Sequence, residues 1–465
     1  MLIIEILAGR LLAPYLGVSL EVFTGVIGVI LAGISIGAWL GGRAADQFRP
    51  ERLPGPLMVL GGLAAMASPV VIDFFGPRFS DDPVSIVLLT TLGFLLPSAL
   101  LSAVTPVVIK IRLQSLGETG SVVGGFSAIG TAGAIVGTFV TGFVLIAAFP
   151  TRPIVAGLGG ALVVGGVIVA IHIRRATAFI ALVLALVSGG WLATADGPCQ
   201  FETTYHCAEV RVDPSRPSGR FLILDRGLNS YVDLEDPTYL EFRYAQVMAD
   251  VIENTFGSGP LDVLSIGGGG FTFPIYLDEI RPGTEHLVLE IDSSLVDIGR
   301  SELGFTDQAV VVSDDARRSI VDVADASVDL VIGDAFSGLT VPWHLTTLEF
   351  VQLVAAKMRP GGVYLINVID YGDLDFARST AKTMAEVFDF VAVLAPPAYL
   401  GGEEGGNFVV VGSSSPIDVE GISVSIAARS GREIAITGPR LGSFLGEAVV
   451  LRDDYAPVDQ MIDYP

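Results

Sequence analysis

Six apolar runs lie within the first 195 residues, at 22–40, 57–75, 85–109, 122–149, 154–173 and 176–195. Each is long enough to cross a hydrocarbon core about 30 Å thick as a helix of ~20 residues. Charge is segregated in the same way. Residues 1–195 hold eight acids and ten bases, whereas 196–465 hold 42 acids and 17 bases. Two solvents are implied, lipid for the first part and water for the second. The expectation is a polytopic α-helical membrane domain over 1–195, with six full spans and a partial first one, followed by a soluble domain over 196–465. The bilayer is therefore one partner. The acidic half excludes nucleic acid, whose phosphates it would repel, and its ordinary role is solubility.

Residues 1–17, MLIIEILAGRLLAPYLG, are too short and too charged for a complete span and lack the basic region and cleavage site of a signal peptide. They read as the end of a span that begins upstream. Arg43, Arg49 and Arg52, then Lys110 and Arg112, then Arg174 and Arg175 make alternate loops basic. Those loops belong on the cytoplasmic side. Asp73, Asp81 and Asp82 fall in the opposite loops, so the sixth span runs outward and the soluble domain is extracytoplasmic. Cys199 and Cys207 are the only cysteines, eight apart and just beyond the last span. A bridge between them suits an oxidising compartment. Gly33, Gly37 and Gly41, and again Gly133 and Gly137, recur every four residues, a spacing that lets helix backbones approach closely in lipid. Charges inside the spans are few; Glu5 and Arg10 either pair with each other or sit at the interface. Nothing at residue level points to a proton or ion relay.

The soluble half begins with strand-like segments from Cys207 to Asp233 that form a small β unit. A helix follows over 237–256, with Asp236 as N-cap and Pro237 as its first residue. Strands and helices then alternate: LDVLSIGGGG, EHLVLEID, AVVVSDDA, VDLVIGDAFSG and VYLINVID are strands with intervening helices. Near-continuous Val/Ile/Leu strands in such an alternation mean a buried parallel sheet, a Rossmann-like α/β architecture. Ligands in these sheets bind at the carboxyl ends of the strands.

Four residues or clusters occupy those ends. Gly267, Gly268, Gly269 and Gly270 follow the first strand. A dinucleotide loop needs G-x-G-x-x-G, and the third glycine is missing in either register. Glu290 ends the second strand, where an acid accepts ribose hydroxyls of NAD and S-adenosyl compounds alike; a solvated surface acid is the bland alternative. Asp315 follows the third strand and can accept from an exocyclic adenine amine, while the adjacent Asp314 can do the same or cap the next helix. Asp334 ends the fourth strand. A carboxylate there takes a proton from an attacking amine or holds a substrate ammonium; the bland alternative is a loop acid or helix cap. His206, His286 and His344 are scattered without metal-ligand spacing, so no metal is expected. Ser265 precedes the glycines but lacks the G-x-S-x-G elbow.

Taken in order, ETTYHCAEV, DLEDPTYLEFRYAQVMA, VLSIGGGG, LEID, SDDA and VDLVIGDAFSG with a following VP resemble the polyamine aminopropyltransferase (spermidine synthase) family, over roughly 199–415. EILAGRLLAPYLGVSL and GAWLGGRAAD are similar to the bacterial form fused to a multispan membrane region. The resemblance implies a methyltransferase-like (Rossmann-like) sheet with an N-terminal β unit. The reaction it implies is transfer of an aminopropyl group from decarboxylated S-adenosylmethionine to a small amine. It further implies donor binding by Gly267, Gly268, Gly269, Glu290, Asp315, Ala316 and Pro342, and Asp334 as proton acceptor. The amine half departs from the family pattern. Gly270 stands where the family has aspartate, Ser337 replaces a second aspartate, the gate pair reads Tyr244-Ala245, and His206 replaces a glutamine. His206, Tyr244 and Ser337 remain the candidate substrate residues.

The leading expectation is thus a membrane-bound aminopropyltransferase-like enzyme with decarboxylated S-adenosylmethionine as co-substrate. The alternatives are an S-adenosylmethionine-dependent methyltransferase, and a non-catalytic nucleoside-binding sensor or transport-associated domain. The acceptor and the oligomeric state are left open.

Overall fold

A computed structural model describes residues 1–80, 82–113, 115–170, 175–195, 197–336, 338 and 340–462. Asp81, Arg174 and Ser337 lie outside the described residues. The chain divides into two units, Met1–Ala208 and Glu209–Pro465.

In the first unit, five helices among the described residues are long and apolar enough to cross a membrane: Leu20–Gln47, Pro50–Arg78, Pro83–Arg112, Thr119–Leu145 and Thr151–Ala170. The sixth sequence span is also helical, Arg175–Thr194, and its apolar stretch Ala181–Thr194 falls short of that length. The chain start forms a helix, Leu2–Leu16. Leu7 and Leu12 on it are fully buried.

Close backbone approach holds this unit together. A Cβ on Gly37 would lie 2.1 Å from the Ala99 carbonyl oxygen, and one on Gly41 2.4 Å from that of Ala103. The first glycine stripe therefore lies directly on a neighbouring helix. The second does not: a Cβ on Gly133 meets nothing within 4 Å, and one on Gly137 meets only the Ile3 side chain. Helix Thr119–Leu145 packs few residues against the others, so its stripe has no backbone opposite it. A further crossing was missed because its spacing is seven, not four. Gly55 meets the Gly166 carbonyl and Gly62 the Gly159 carbonyl at 2.8 and 2.6 Å from their notional Cβ atoms.

Polar groups collect at the helix ends. Lys110 pairs with Asp46 at 2.9 Å. Asp73 pairs with Arg152 and accepts from the Tyr15 hydroxyl at 3.1 Å. Arg10 pairs with Glu202 at 3.3 Å and donates to the Thr203 carbonyl. Glu202 also accepts from the Thr151 backbone N–H at 2.9 Å. Strand β1 (Phe201–Glu202) pairs with Cys207 and Ala208, and Cys199 and Cys207 are disulfide-bonded.

In the second unit, β2 (Cys207–Asp213), β3 (Arg216–Leu224) and β4 (Gly227–Asp233) form a meander. No helix begins at Asp236. The carboxylate of Asp236 instead caps a turn, accepting from Thr238 N and Oγ1 at 3.2 and 2.6 Å, and pairs with Arg216 at 3.0 Å. The helix starts later, at Arg243–Thr255.

The main sheet has eight strands: β5 (Asp262–Ile266), β6 (Glu285–Leu289), β7 (Val310–Val312), β8 (Val328–Gly333), β9 (Met358–Asp370), β10 (Phe390–Ala395), β11 (Gly406–Ser413) and β12 (Ile434–Ile436). Their order is β12-β10-β11-β9-β8-β5-β6-β7. Strands β9, β8, β5, β6 and β7 are parallel, as the alternation predicts. Strands β10, β11 and β12 extend the sheet antiparallel. Leu264, Ile266, Val331 and Ile366 face one core, while Val263, Leu330, Ile332 and Leu365 face the other. Both faces are covered, which is why these strands read as unbroken apolar runs. The chain leaves β5 toward β6 and β7, then returns to β8 on the other side. The crevice of such a sheet therefore opens between the carboxyl ends of β5 and β8.

Gly37→Val is expected to cost about 1–3 kcal/mol by forcing two backbones apart, whereas Gly133→Val, in open space, leaves stability unchanged. Thermal unfolding of the detergent-solubilised variants checks this, and equal midpoints would count against the packing described.

Candidate active site

The four-glycine loop leaves β5 with Gly267 at φ +93° and Gly269 at φ +48°, the left-handed region that side chains avoid. Space matters as much as φ. A Cβ on Gly267 would lie 2.5 Å from the Asp334 carbonyl oxygen, and one on Gly270 2.7 Å from Ser230 Cβ. The loop's N–H groups are all directed. Gly268 N and Gly269 N donate to Glu290 Oε2 at 2.7 and 3.4 Å, and Gly270 N donates to Ser230 Oγ at 2.9 Å. Phe271, at φ +58°, ends the loop fully buried and stacked on Phe305 at 4.0 Å. The helix Thr272–Ile280 begins there.

Asp334 sits directly across from the loop, its N–H donating to the Ile266 carbonyl at 2.9 Å. Its carboxylate accepts from Tyr244 Oη at 3.0 Å and from Asn367 Nδ2 at 2.9 Å. Asn407 Nδ2 in turn donates to Asn367 Oδ1 at 2.9 Å. Burial pushes the Asp334 carboxyl up to about 6, and the two hydrogen bonds pull the other way. Burial also raises the Tyr244 hydroxyl well above its ordinary value, with the Asp334 charge adding to it. At neutral pH the group is therefore a carboxylate held in place by two neutral donors, open to a pocket. Asn229, Ser230, Gly267, Gly268, Thr272 and Asp334 line that pocket.

Glu290 is buried next to the loop. Its Oε1 accepts from Asp292 N at 2.8 Å, and burial raises its carboxyl above the usual range. Asp315, not Asp314, caps the short helix Ala316–Ser319, accepting from Arg317 N at 2.9 Å and Arg318 N at 3.2 Å. Its second oxygen meets His344 Nε2 at 3.0 Å. His344 belongs to the turn Trp343–Leu345, capped by Pro342, so Pro342, Asp315 and the buried Ala316 are brought to one neighbourhood. His206 lies in the hairpin of the first unit, where its N–H donates to Thr203 Oγ1 at 2.8 Å. Ser265 Oγ meets His286 Nε2 at 2.8 Å, and burial lowers that imidazole to about 3.

Sequence reading missed Asn229, Ser230, Asn367 and Asn407. Asn367 carried a usable signal: it is the one amide within VYLINVI, a segment otherwise of aliphatic residues and one tyrosine and largely buried. A buried amide in such a strand needs partners, and the partner here is Asp334. Asn229 and Ser230 carried none, because only the fold brings β4 over the glycine loop.

No protein-family model matches the chain. Among curated proteins, the polyamine aminopropyltransferase of Chromobacterium violaceum is 26% identical over 175 residues, 37% of this chain and 65% of that protein. The polyamine aminopropyltransferase of Vibrio vulnificus is 26% identical over 164 residues, 34% of this chain and 55% of that protein. The chain thus spans less than two thirds of these relatives. Among solved structures, a protein described as a probable spermidine synthase from Corynebacterium glutamicum matches with a TM-score of 0.52 and 26% identity, covering 57% of this chain and 98% of that one. The sheet-bearing part therefore has the spermidine synthase/methyltransferase-like fold. Relatives of this kind in both sequence and structure support the polyamine aminopropyltransferase (spermidine synthase) family for the sheet-bearing part.

Because the folded-state pKa of Asp334 lies above that of an exposed aspartate, folding takes up a proton between about pH 4 and 6. That contribution is complete below about pH 4 and is lost as pH rises through 6. Asp334→Asn is expected to gain about 1–3 kcal/mol at pH 8 and nothing at pH 4. Thermal midpoints at the two pH values check the sign, and a loss at pH 8 would contradict it.

Proposed function

We propose that this protein is a membrane-anchored aminopropyltransferase whose donor is decarboxylated S-adenosylmethionine and whose general base is Asp334. The observation that carries the reading is Asp334 itself, a carboxylate gripped by Tyr244 and Asn367 across from a glycine loop and facing a pocket. In this reading Gly267, Gly268, Gly269 and Glu290 cradle the nucleoside. Asp315, Ala316 and Pro342 flank its base. Tyr244 orients the carboxylate. An amine nitrogen attacks the propyl carbon bonded to the sulfonium. The C–N bond forms as the C–S bond breaks, the bonding pair returns to sulfur to leave a neutral thioether, and the ammonium proton passes to Asp334. A raised carboxyl is suited to that step: it is ionised at pH 7 yet basic enough to accept. Fixed donors around it lower the reorganisation the step requires.

The helices of spanning length anchor the enzyme in a bilayer. The basic loops at Arg43, Arg49, Arg52, Lys110 and Arg112 support a cytoplasmic location for those ends and an extracytoplasmic C-terminal unit. The Cys199–Cys207 bridge fits that compartment.

Calorimetry with decarboxylated S-adenosylmethionine, S-adenosylmethionine and methylthioadenosine tests the donor. The decarboxylated compound is expected to bind at least tenfold more tightly than S-adenosylmethionine; the opposite preference would make the protein a methyltransferase. Asp334→Asn is expected to lower kcat by about 10²–10⁴ with methylthioadenosine affinity changed less than threefold, and turnover that survives removes Asp334 as base. For the topology, Val424→Cys, at an exposed position, is expected to react with a membrane-impermeant maleimide on intact cells. Labelling only after lysis would reverse the orientation.

A further inference from the structure

The pocket beside Asp334 carries a single charge. Among the described residues lining it, Asp334 is the only ionisable side chain, and the other polar ones, Asn229, Ser230, Ser265 and Thr272, are neutral. Glu290 is not among the lining residues, and its oxygens accept from the backbone N–H groups of Gly268, Gly269 and Asp292. Tyr244 spends its proton on Asp334, and His286, behind Ser265, is kept neutral by burial.

The glycine loop next to this pocket leaves no room for a second acid at Gly270. A Cβ on Gly270 would strike Ser230 Cβ at 2.7 Å, so no side chain of any kind fits there without moving β4. Ser230 fills that space and uses its oxygen to accept from Gly270 N at 2.9 Å, while its hydroxyl donates to Asn229 Oδ1 at 2.8 Å. Asn229 lines the pocket with a neutral amide, which supplies no counter-charge.

From this we infer that the acceptor is a monoamine with a neutral tail, ending in a hydroxyl or an apolar group, and not a diamine. The inference rests on the aminopropyl-transfer reading and concerns the other end of the same pocket. One carboxylate neutralises one ammonium. A second ammonium, carried along a short alkyl chain, would be desolvated against Asn229, Ser230 and Thr272 with no counter-charge, and a buried charge without a partner is strongly disfavoured. A hydroxyl in the same position is satisfied by neutral polar groups such as the Asn229 amide and the Ser230 and Thr272 hydroxyls at no such cost.

The test uses the full chain in detergent at pH 8 with decarboxylated S-adenosylmethionine, following methylthioadenosine release. The acceptors are 1-aminobutane, 4-amino-1-butanol and 1,4-diaminobutane. The expected result is a kcat/KM at least tenfold higher for either monoamine than for the diamine. Asn229→Asp is expected to narrow or reverse that ratio through a lower KM for the diamine. Equal or better turnover of the diamine overturns the inference and leaves the transfer reading standing. Absence of turnover with all three amines, together with a binding preference for S-adenosylmethionine, overturns the transfer reading and the inference with it. Calorimetry of the three amines on methylthioadenosine-saturated protein gives the second readout: tighter binding of the monoamines supports the inference, and tighter or equal binding of the diamine overturns it.

Discussion

The structure of the site depends on how closely two strand exits meet. Strands β5 and β8 are neighbours in register, Ile266 beside Gly333, and the chain continues the ladder one step further when Asp334 N–H donates to the Ile266 carbonyl. The Gly267 Cα then lies against the Asp334 carbonyl with no room for a side chain. That contact fixes the floor of the crevice. It forces glycine on one side and aims the aspartate side chain away from the backbone on the other. Tyr244 and Asn367 arrive from a helix and from β9 to hold the carboxylate once its backbone is set.

The fold was legible because its two kinds of architecture leave different patterns in a sequence. Long apolar runs separated by basic loops describe helices of membrane-spanning length, and alternating apolar strands with helices describe a sheet covered on both faces. The antiparallel addition of β10, β11 and β12 was not legible, since FVAVLA and GNFVVVGSS read equally well as parallel strands. The start of helix Arg243–Thr255 was misread at Asp236-Pro237 for a local reason. An acid followed by proline is a helix start in isolation, but here Arg216 and Asp233 hold that segment as a turn.

Among small-residue stripes, periodicity alone did not separate contact from exposure. Gly33, Gly37 and Gly41 meet a neighbouring backbone, whereas Gly133, at the same spacing, meets nothing. Without a driving force from water, helix association in lipid depends on what lies opposite. Gly55 and Gly62 find Gly166 and Gly159, an arrangement that needs two helices to be read together. The polar partners of Arg10 and Asp73 follow the same logic. Glu202 and Arg152 are distant in sequence and adjacent only after the helix ends have been placed.

In the site, residues at strand exits were legible and residues that approach from elsewhere were not. Gly267, Glu290 and Asp334 follow from topology, because a parallel sheet presents its carboxyl ends to ligand. Asn229 and Ser230 come from the β unit ahead of the sheet. They change the meaning of Gly270: the missing carboxylate is not simply a lost side chain, since Ser230 occupies the volume it would need and bonds the loop N–H. Restoring an acid at Gly270 therefore requires moving β4. The absence of a side chain at Gly270 is thus a packed feature, coupled to the shape of the glycine loop. The position of β4 and the shape of the glycine loop thus share one hydrogen bond, between Gly270 N and Ser230 Oγ.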